Sequence, residues 1–131
     1  MGVTENIATV RRFYAAGPAE DDRERAGFAA RDIVWHVPGA NRISGEYRGD
    51  QAVFETMPAS MRPLDRWEIG VHEVMGNGNL VVAVVDLRGT RYGRSVETRG
   101  AHVFRLRDGV IVEAWGFADD QAALDAFLEP A

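Results

Sequence analysis

The chain carries three histidines, at positions 36, 72 and 102, and no cysteine. An imidazole has an unperturbed pKa of about 6.5, so these are the side chains whose type suits proton transfer near neutral pH. His36 lies in Ile33-Val34-Trp35-His36-Val37-Pro38-Gly39, an apolar run that stops at Pro-Gly. His102 lies in the alternating segment Val96 to Arg107. No two histidines have the His-x-His or His-x-x-x-His spacing of a metal site, so no metal is expected. The lack of cysteine excludes thiolate nucleophiles, disulfides and thiolate-bound clusters. There is no G-x-G-x-x-G or phosphate loop, and the Gly-Asn-Gly-Asn at 76–79 is a turn with no helix after it. The serines lack a nucleophile elbow. The open question is whether a histidine such as His36 is a core residue that found a partner or does acid–base chemistry.

Strand periodicity says which way these rings point. From Val96 to Arg107 one face reads Glu97, Arg99, Ala101, Val103, Arg105 and Arg107. The other reads Val96, Thr98, Gly100, His102, Phe104 and Leu106, so His102 faces inward. Gly100 beside it leaves room near the backbone. The strand of His36 alternates two apolar sets, and polarity does not choose between its faces. His72 belongs to the more polar set of its strand and is expected exposed or half-buried. A lone inward histidine is most often a core residue bonded to a carbonyl. Two in one small domain favour a shared polar pocket, because each needs a partner when buried.

The elements that must position these residues change character half-way. Thr4 suits a helix cap, and Ile7, Val10, Phe13 and Tyr14 form an apolar stripe that Gly17-Pro18 ends. A short helix is expected from Asp22 to Ala30, then the His36 strand, then a turn-rich loop with a short strand around Ile43. Asp50 suits the cap of a third helix, with Val53, Met57 and Met61 on one face and Pro58 kinking it. From Arg66 onward strands follow one another. They cover Arg66 to Met75, then Leu80 to Gly89, then a long strand or bulged pair from Arg91 to Arg107, then Val110 to Phe117. Asp108-Gly109 is a hairpin signal. Asp119 or Asp120 caps a closing helix. Early helices and consecutive late strands indicate an α+β fold with a curved, mostly antiparallel sheet and helices on its concave face. The space between them can become a pocket.

The 131 residues fit one domain, spanning 1–131, and can bury a sizeable core. A net charge of −5 argues against nucleic acid and against an anionic membrane surface. The N-terminal stretch lacks the basic start and apolar run of a signal peptide, and Leu80 to Val85 is too short to span a bilayer. A cytoplasmic location is the expectation. Trp35, Trp115 and other aromatics could line a pocket for a flat hydrophobic ligand, although core packing is their more common use. Trp115 would equally serve a two-fold dimer through the outer sheet face.

The segments "VRRFYAAG", "DIVWHVPGANRISGEYRG" and "HVFRLRDGVIVEAWGF" resemble the SnoaL-like group of the nuclear-transport-factor-2-like superfamily, which includes ketosteroid isomerases and polyketide cyclases. The resemblance covers nearly the whole chain and implies a cone-shaped α+β barrel. Where the isomerases carry a catalytic aspartate base, this chain has His36. Where they carry a protonated aspartic acid, it has His102. Their oxyanion tyrosine matches Phe13 by count, with Tyr14 one residue away. Neither aspartate is present, so steroid isomerisation by that set of groups is not implied.

The expectation is therefore a cofactor-independent enzyme moving protons next to a carbonyl, by isomerisation, aldol-type cyclisation or dehydration. His36 would be the base and His102 the donor or orienting partner, both facing one cavity, with Tyr14, Trp35 and Trp115 shaping the site for a small hydrophobic molecule. The alternative is a non-catalytic binding domain for a hydrophobic metabolite. A third reading is an interaction module whose cone is filled by its own side chains.

Overall fold

The first helix, α1 (Val3–Ala15), buries Asn6, Thr9, Val10 and Phe13 along one side. Gly2 rather than Thr4 stands at its N-cap, with no side-chain cap, and Glu5 supplies the acidic residue that suits the first turn. In this computed structural model residues 2–16, 22–61 and 64–129 are described, so the Gly17-Pro18 stop lies outside the described residues. α2 (Asp22–Ala26) ends earlier than expected. The chain from Ala29 is drawn into β1 (Ala29–Val37), where Ala29 pairs with Ile111. Sheet pairing overrides the helical preference of two consecutive alanines.

β2 (Gly45–Arg48) runs antiparallel to β1, and Ile43 lies buried in the turn before it rather than in a strand. Asp50 belongs to the helical segment that follows instead of capping it. That segment widens into a π-helical turn over Ala52–Thr56, where the Met57 N–H reaches the carbonyl of Ala52, and continues as α3 (Met57–Met61). Pro58 has no N–H, and its ring would press on the carbonyl four residues earlier. The wide turn absorbs this conflict where a kink was expected.

The late strands are β3 (Arg66–Asn77), β4 (Leu80–Arg91), β5 (Arg94–Arg107) and β6 (Val110–Ala118). Tyr92-Gly93 and Asp108-Gly109 both take positive φ angles, 50° and 75° in one and 52° and 79° in the other. Two successive positive φ values make the turn whose twist suits a hairpin. Tyr92 is an uncommon residue there, so this turn is not evident from sequence, whereas Asp108-Gly109 is. α4 (Gln121–Phe127) is capped by Asp120, whose Oδ1 accepts from the Ala123 N–H at 3.0 Å.

The strand order is β2-β1-β6-β5-β4-β3, in which β1 and β6 run parallel and the other neighbours antiparallel. The result is a mixed α+β fold with a curved sheet that does not close and helices packed on it. The core is built from inward residues of successive strands, including Ile33, Val81, Val85, Phe104, Leu106 and Ile111, with Val10 and Phe13 of α1 laid over them. Each such side chain contributes about 1.5–3 kcal/mol by leaving water. Gly100 admits a close approach, because a Cβ there would fall 2.5 Å from the Phe117 carbonyl oxygen.

Register across the sheet fixes which residues share a face. Trp35, Ala114, Phe104 and Val81 form one row of cross-strand partners, and it points inward. One residue along, His36, Trp115, Val103 and Val82 form the next row, which points outward. A register shift between Arg105 and Leu106 separates Ile111, which is buried, from Glu113 and Trp115, which are on the outer face. Simple alternation would put all three on one face.

Candidate active site

A cavity of about 1260 Å³ lies between the concave face of the sheet and the helices. Its inner wall includes Phe13, Tyr14, Trp35, Phe54, His102 and Leu124, and its outer part reaches Glu68 and Arg88 at the surface. His102 stands on β5 opposite Gly116 of β6. A Cβ at Gly116 would meet Pro38 at 3.2 Å and the His102 ring at 3.8 Å, so glycine keeps the wall beside this histidine open.

His102 is 9% exposed and packed among aromatic rings. Trp35 meets it edge-on at 5.8 Å, and Phe104 does so at 6.2 Å. Its Nδ1 shares a short hydrogen bond with the Tyr14 hydroxyl, and the two ring planes differ by 6°. Burial disfavours the imidazolium and pushes the His102 pKa down to about 4. Burial likewise pushes the Tyr14 hydroxyl well above its ordinary value, against a smaller lowering pull from Arg25. Both members of the pair are therefore neutral at pH 7. A neutral imidazole has one bare nitrogen and one N–H. If Nδ1 carries the proton and donates to the Tyr14 oxygen, Nε2 is a base and the Tyr14 O–H is free to donate.

His36 does not join them. It lies on the outer face of the sheet, stacked on Trp115 at 5.4 Å with ring planes 9° apart. Its Nε2 bonds Glu113 Oε2 at 2.7 Å, and its Nδ1 lies 3.7 Å from Glu46 Oε1. The expectation that His36 and His102 face one cavity is corrected: adjacent rows of the register put them on opposite faces. Trp115 goes with His36, and Arg105 lies over its ring at 5.7 Å. It does not line the cavity, whereas Tyr14 and Trp35 do. His72 is half-exposed and hydrogen-bonded to Asp86, whose carboxyl that bond, before other effects, holds below the usual range.

Sequence reasoning missed a polar strap near the cavity. Asn41 Nδ2 and Gln121 Nε2 both donate to Asp125 Oδ1, at 2.8 and 2.9 Å, joining the β1–β2 loop to α4. These bonds, Gln121's first, hold the Asp125 carboxyl below the usual range. Gly39 has a φ of 88°, and a Cβ there would sit 2.2 Å from Asp125 Oδ1, so glycine is required. The Pro-Gly turn signal was visible, but its partner 86 positions later was not. Glu113 was missed as the partner of His36 for the same reason.

Among the described residues no cluster of three or more histidines or carboxylates could hold a metal ion, and no helix is long and apolar enough to cross a membrane.

The sequence profile of the SnoaL-like domain matches residues 10–114. This chain belongs to the SnoaL-like family. Its fold is that of Bal32a from a soil-derived mobile gene cassette, at 23% identity and a TM-score of 0.90, with 97% of this chain and 98% of that one covered. It is likewise similar to an NTF2-like protein from Burkholderia thailandensis E264, at 24% identity and a TM-score of 0.86, covering 99% and 100%. A protein from Jannaschia sp. CCS1 described as a SnoaL-like polyketide cyclase is 20% identical, with a TM-score of 0.79 and coverage of 98% and 95%. No curated protein matches the chain in sequence.

Proposed function

We propose that this SnoaL-like domain is a cofactor-independent enzyme that moves a proton next to the carbonyl of a small hydrophobic molecule. The observation that carries this reading is the Tyr14–His102 hydrogen bond on an aromatic wall of the cavity. His102 Nε2 takes the proton, and the Tyr14 hydroxyl donates to the oxygen on which charge develops. Burial supports both roles, because it keeps the base unprotonated and the donor un-ionised at neutral pH. Trp35 and Phe54 would hold the apolar body of the substrate. Isomerisation, aldol-type cyclisation and dehydration all begin with this step, and the Jannaschia relative described as a polyketide cyclase supports the cyclisation branch. An unfilled cavity speaks against a cone packed solid by its own side chains.

Proton exchange tests this without knowledge of the natural substrate. A panel of hydrophobic ketones and 1,3-diketones is incubated with the protein in deuterium oxide and followed by NMR. The expected result is catalysed exchange at the carbon beside the carbonyl, lost in His102→Gln and declining as pH falls through about 4. Panel members that bind without exchange would instead identify a binding domain for a hydrophobic metabolite.

We propose also that two copies pair through the outer sheet face. Phe117 is 54% exposed there, beside Trp115 and Val103, and the surrounding charges include both Arg105 and Glu113. A face with apolar residues and both charge signs is suited to meeting its own two-fold copy. Light scattering at micromolar concentration should give twice the chain mass, and Phe117→Arg should return it to one.

A further inference from the structure

Two arginines that do not themselves line the cavity hold donors without acceptors. Arg91 ends β4 and is 3% exposed. Its Nη1 donates to the carbonyls of Phe127 at 3.3 Å and Glu129 at 2.6 Å, but its buried Nε has no partner. Arg42, in the loop between β1 and β2, has Nε and Nη2 buried and likewise without partners. Neither guanidinium forms an ion pair with a carboxylate among the described residues. Ile43, next to Arg42, packs in one apolar cluster with Phe127, whose carbonyl Arg91 holds, so the two arginines meet at the same corner of the fold. Desolvation first, and then Arg91, push the Arg42 pKa below its ordinary value. A guanidinium keeps its proton in proteins.

This arrangement is costly as it stands. Like charges repel more strongly where water is sparse, and each buried N–H without an acceptor forfeits a hydrogen bond it made in the unfolded chain. Water can supply acceptors but not countercharge. The neighbouring apolar cluster of Ile43, Leu64, Phe127 and Leu128 supplies neither.

We infer that Arg42 and Arg91 form an anion site that takes a dianionic phosphate, free or carried on a larger metabolite. The stoichiometry favours phosphate over carboxylate. One carboxylate would neutralise one guanidinium, whereas a dianionic phosphate matches two charges and offers enough oxygens for all three unused donors. The site is separate from the Tyr14–His102 pair and does not depend on the reaction proposed for it.

Inorganic phosphate is titrated into the whole protein at constant ionic strength, with chloride as the control. Thermal unfolding and calorimetry report binding. The expected result is a saturable rise in Tm with phosphate and none with chloride. Arg42→Gln should weaken phosphate binding at least tenfold, and Arg42→Lys, which keeps the charge but loses the fork, should fall between. Arg42 is the better position to change, since Arg91 also holds carbonyls at the end of α4 and just beyond it. In phosphate-free buffer Arg42→Gln should unfold at the same temperature as the parent or higher, because it relieves repulsion. Phenyl phosphate distinguishes the sources: tighter binding than inorganic phosphate points to an ester, weaker binding to the free ion. Equal Tm rises with phosphate and chloride, or an undiminished phosphate affinity in Arg42→Gln, would overturn the site.

Discussion

His36 and His102 occupy neighbouring rows of one sheet, since His36 pairs with Trp115 and His102 with Gly116. One step in register separates two chemical worlds. The inner histidine is enclosed by aromatic rings, bonded to a tyrosine and held neutral by lack of water. The outer one stacks on a tryptophan between two carboxylates, with about a third of its side chain exposed. Residue type alone does not distinguish the two histidines. The face does, because it sets both solvation and what a ligand can reach.

The largest expected contrast is in turnover. His102→Gln keeps a polar side chain but removes the proposed base and should cut the proposed reaction by about 10²–10⁴-fold, the usual worth of a positioned acid or base. His36→Gln, on the far side of the sheet, should leave turnover within about two-fold of the parent if it merely loses an outer-face contact. A His36 variant as damaged as the His102 variant, both folded and with the same oligomeric mass, would erase the distinction between the faces.

Much of the fold was legible because period-two alternation is strong wherever one face is dry. The β5 segment placed Thr98, His102, Phe104 and Leu106 inward, and all four are buried. β1 was not legible, because both of its alternating sets are apolar, and only its pairing with β6 settles the direction of His36. That pairing is parallel and joins residues about 80 positions apart, so no local signal carries it. The bulge near Leu106 defeated the parity of β6 in the same way. Within the site, Tyr14 was expected in a cavity shared by both histidines, and its bond to His102 was not foreseen. Its helical stripe was visible, but which strand the stripe covers is decided by tertiary packing.

Stability should show the same asymmetry between adjacent residues of β5. Phe104 is fully buried and touches the rings of Phe13, Tyr14 and Trp35. Phe104→Ala should cost about 3–5 kcal/mol through lost transfer energy and the cavity left behind. Val103→Ala, one residue along on the outer face, should cost well under half of that in the monomer. Urea unfolding midpoints of the two variants give the comparison, and equal losses would mean that the outer face is as dry as the inner one.

Acid sharpens the contrast further. The folded His102 has its pKa lowered to about 4, against about 6.5 in the unfolded chain. Between those values the unfolded chain binds a proton that the folded one refuses. Stability from this residue is thus complete above about 6.5 and is lost as pH falls toward 4, by up to about 3 kcal/mol in all. His102→Gln should flatten that part of the stability curve. Acid loss at still lower pH, to which the Asp86 and Asp125 carboxyls contribute because their pKa values are lowered, should remain. An unchanged slope between pH 6.5 and 4 in the variant would show that His102 is solvated in the folded protein.

The smallest effect belongs to the outer histidine's own ion pair. His36 and Glu113 approach to 2.7 Å, with side chains 32% and 31% exposed. Solvent screens such a pair, and holding both side chains in one geometry costs entropy, so it should stabilise by no more than about 1 kcal/mol. Glu113 is also 3.9 Å from Arg105, and Glu46 stands ready on the other side of His36, so removing one carboxylate leaves the imidazole a partner. Glu113→Gln should therefore shift the urea midpoint only slightly, still less in high salt, and should leave proton exchange at the cavity untouched. The double change Glu46→Gln with Glu113→Gln isolates the redundancy. If the two carboxylates substitute for each other, the pair of changes costs more than the sum of the single ones. A sum that simply adds would mean that each carboxylate acts alone. A loss of exchange activity in either variant would mean that the outer face speaks to the inner one through β1 and β6, and that the two histidines are not independent after all.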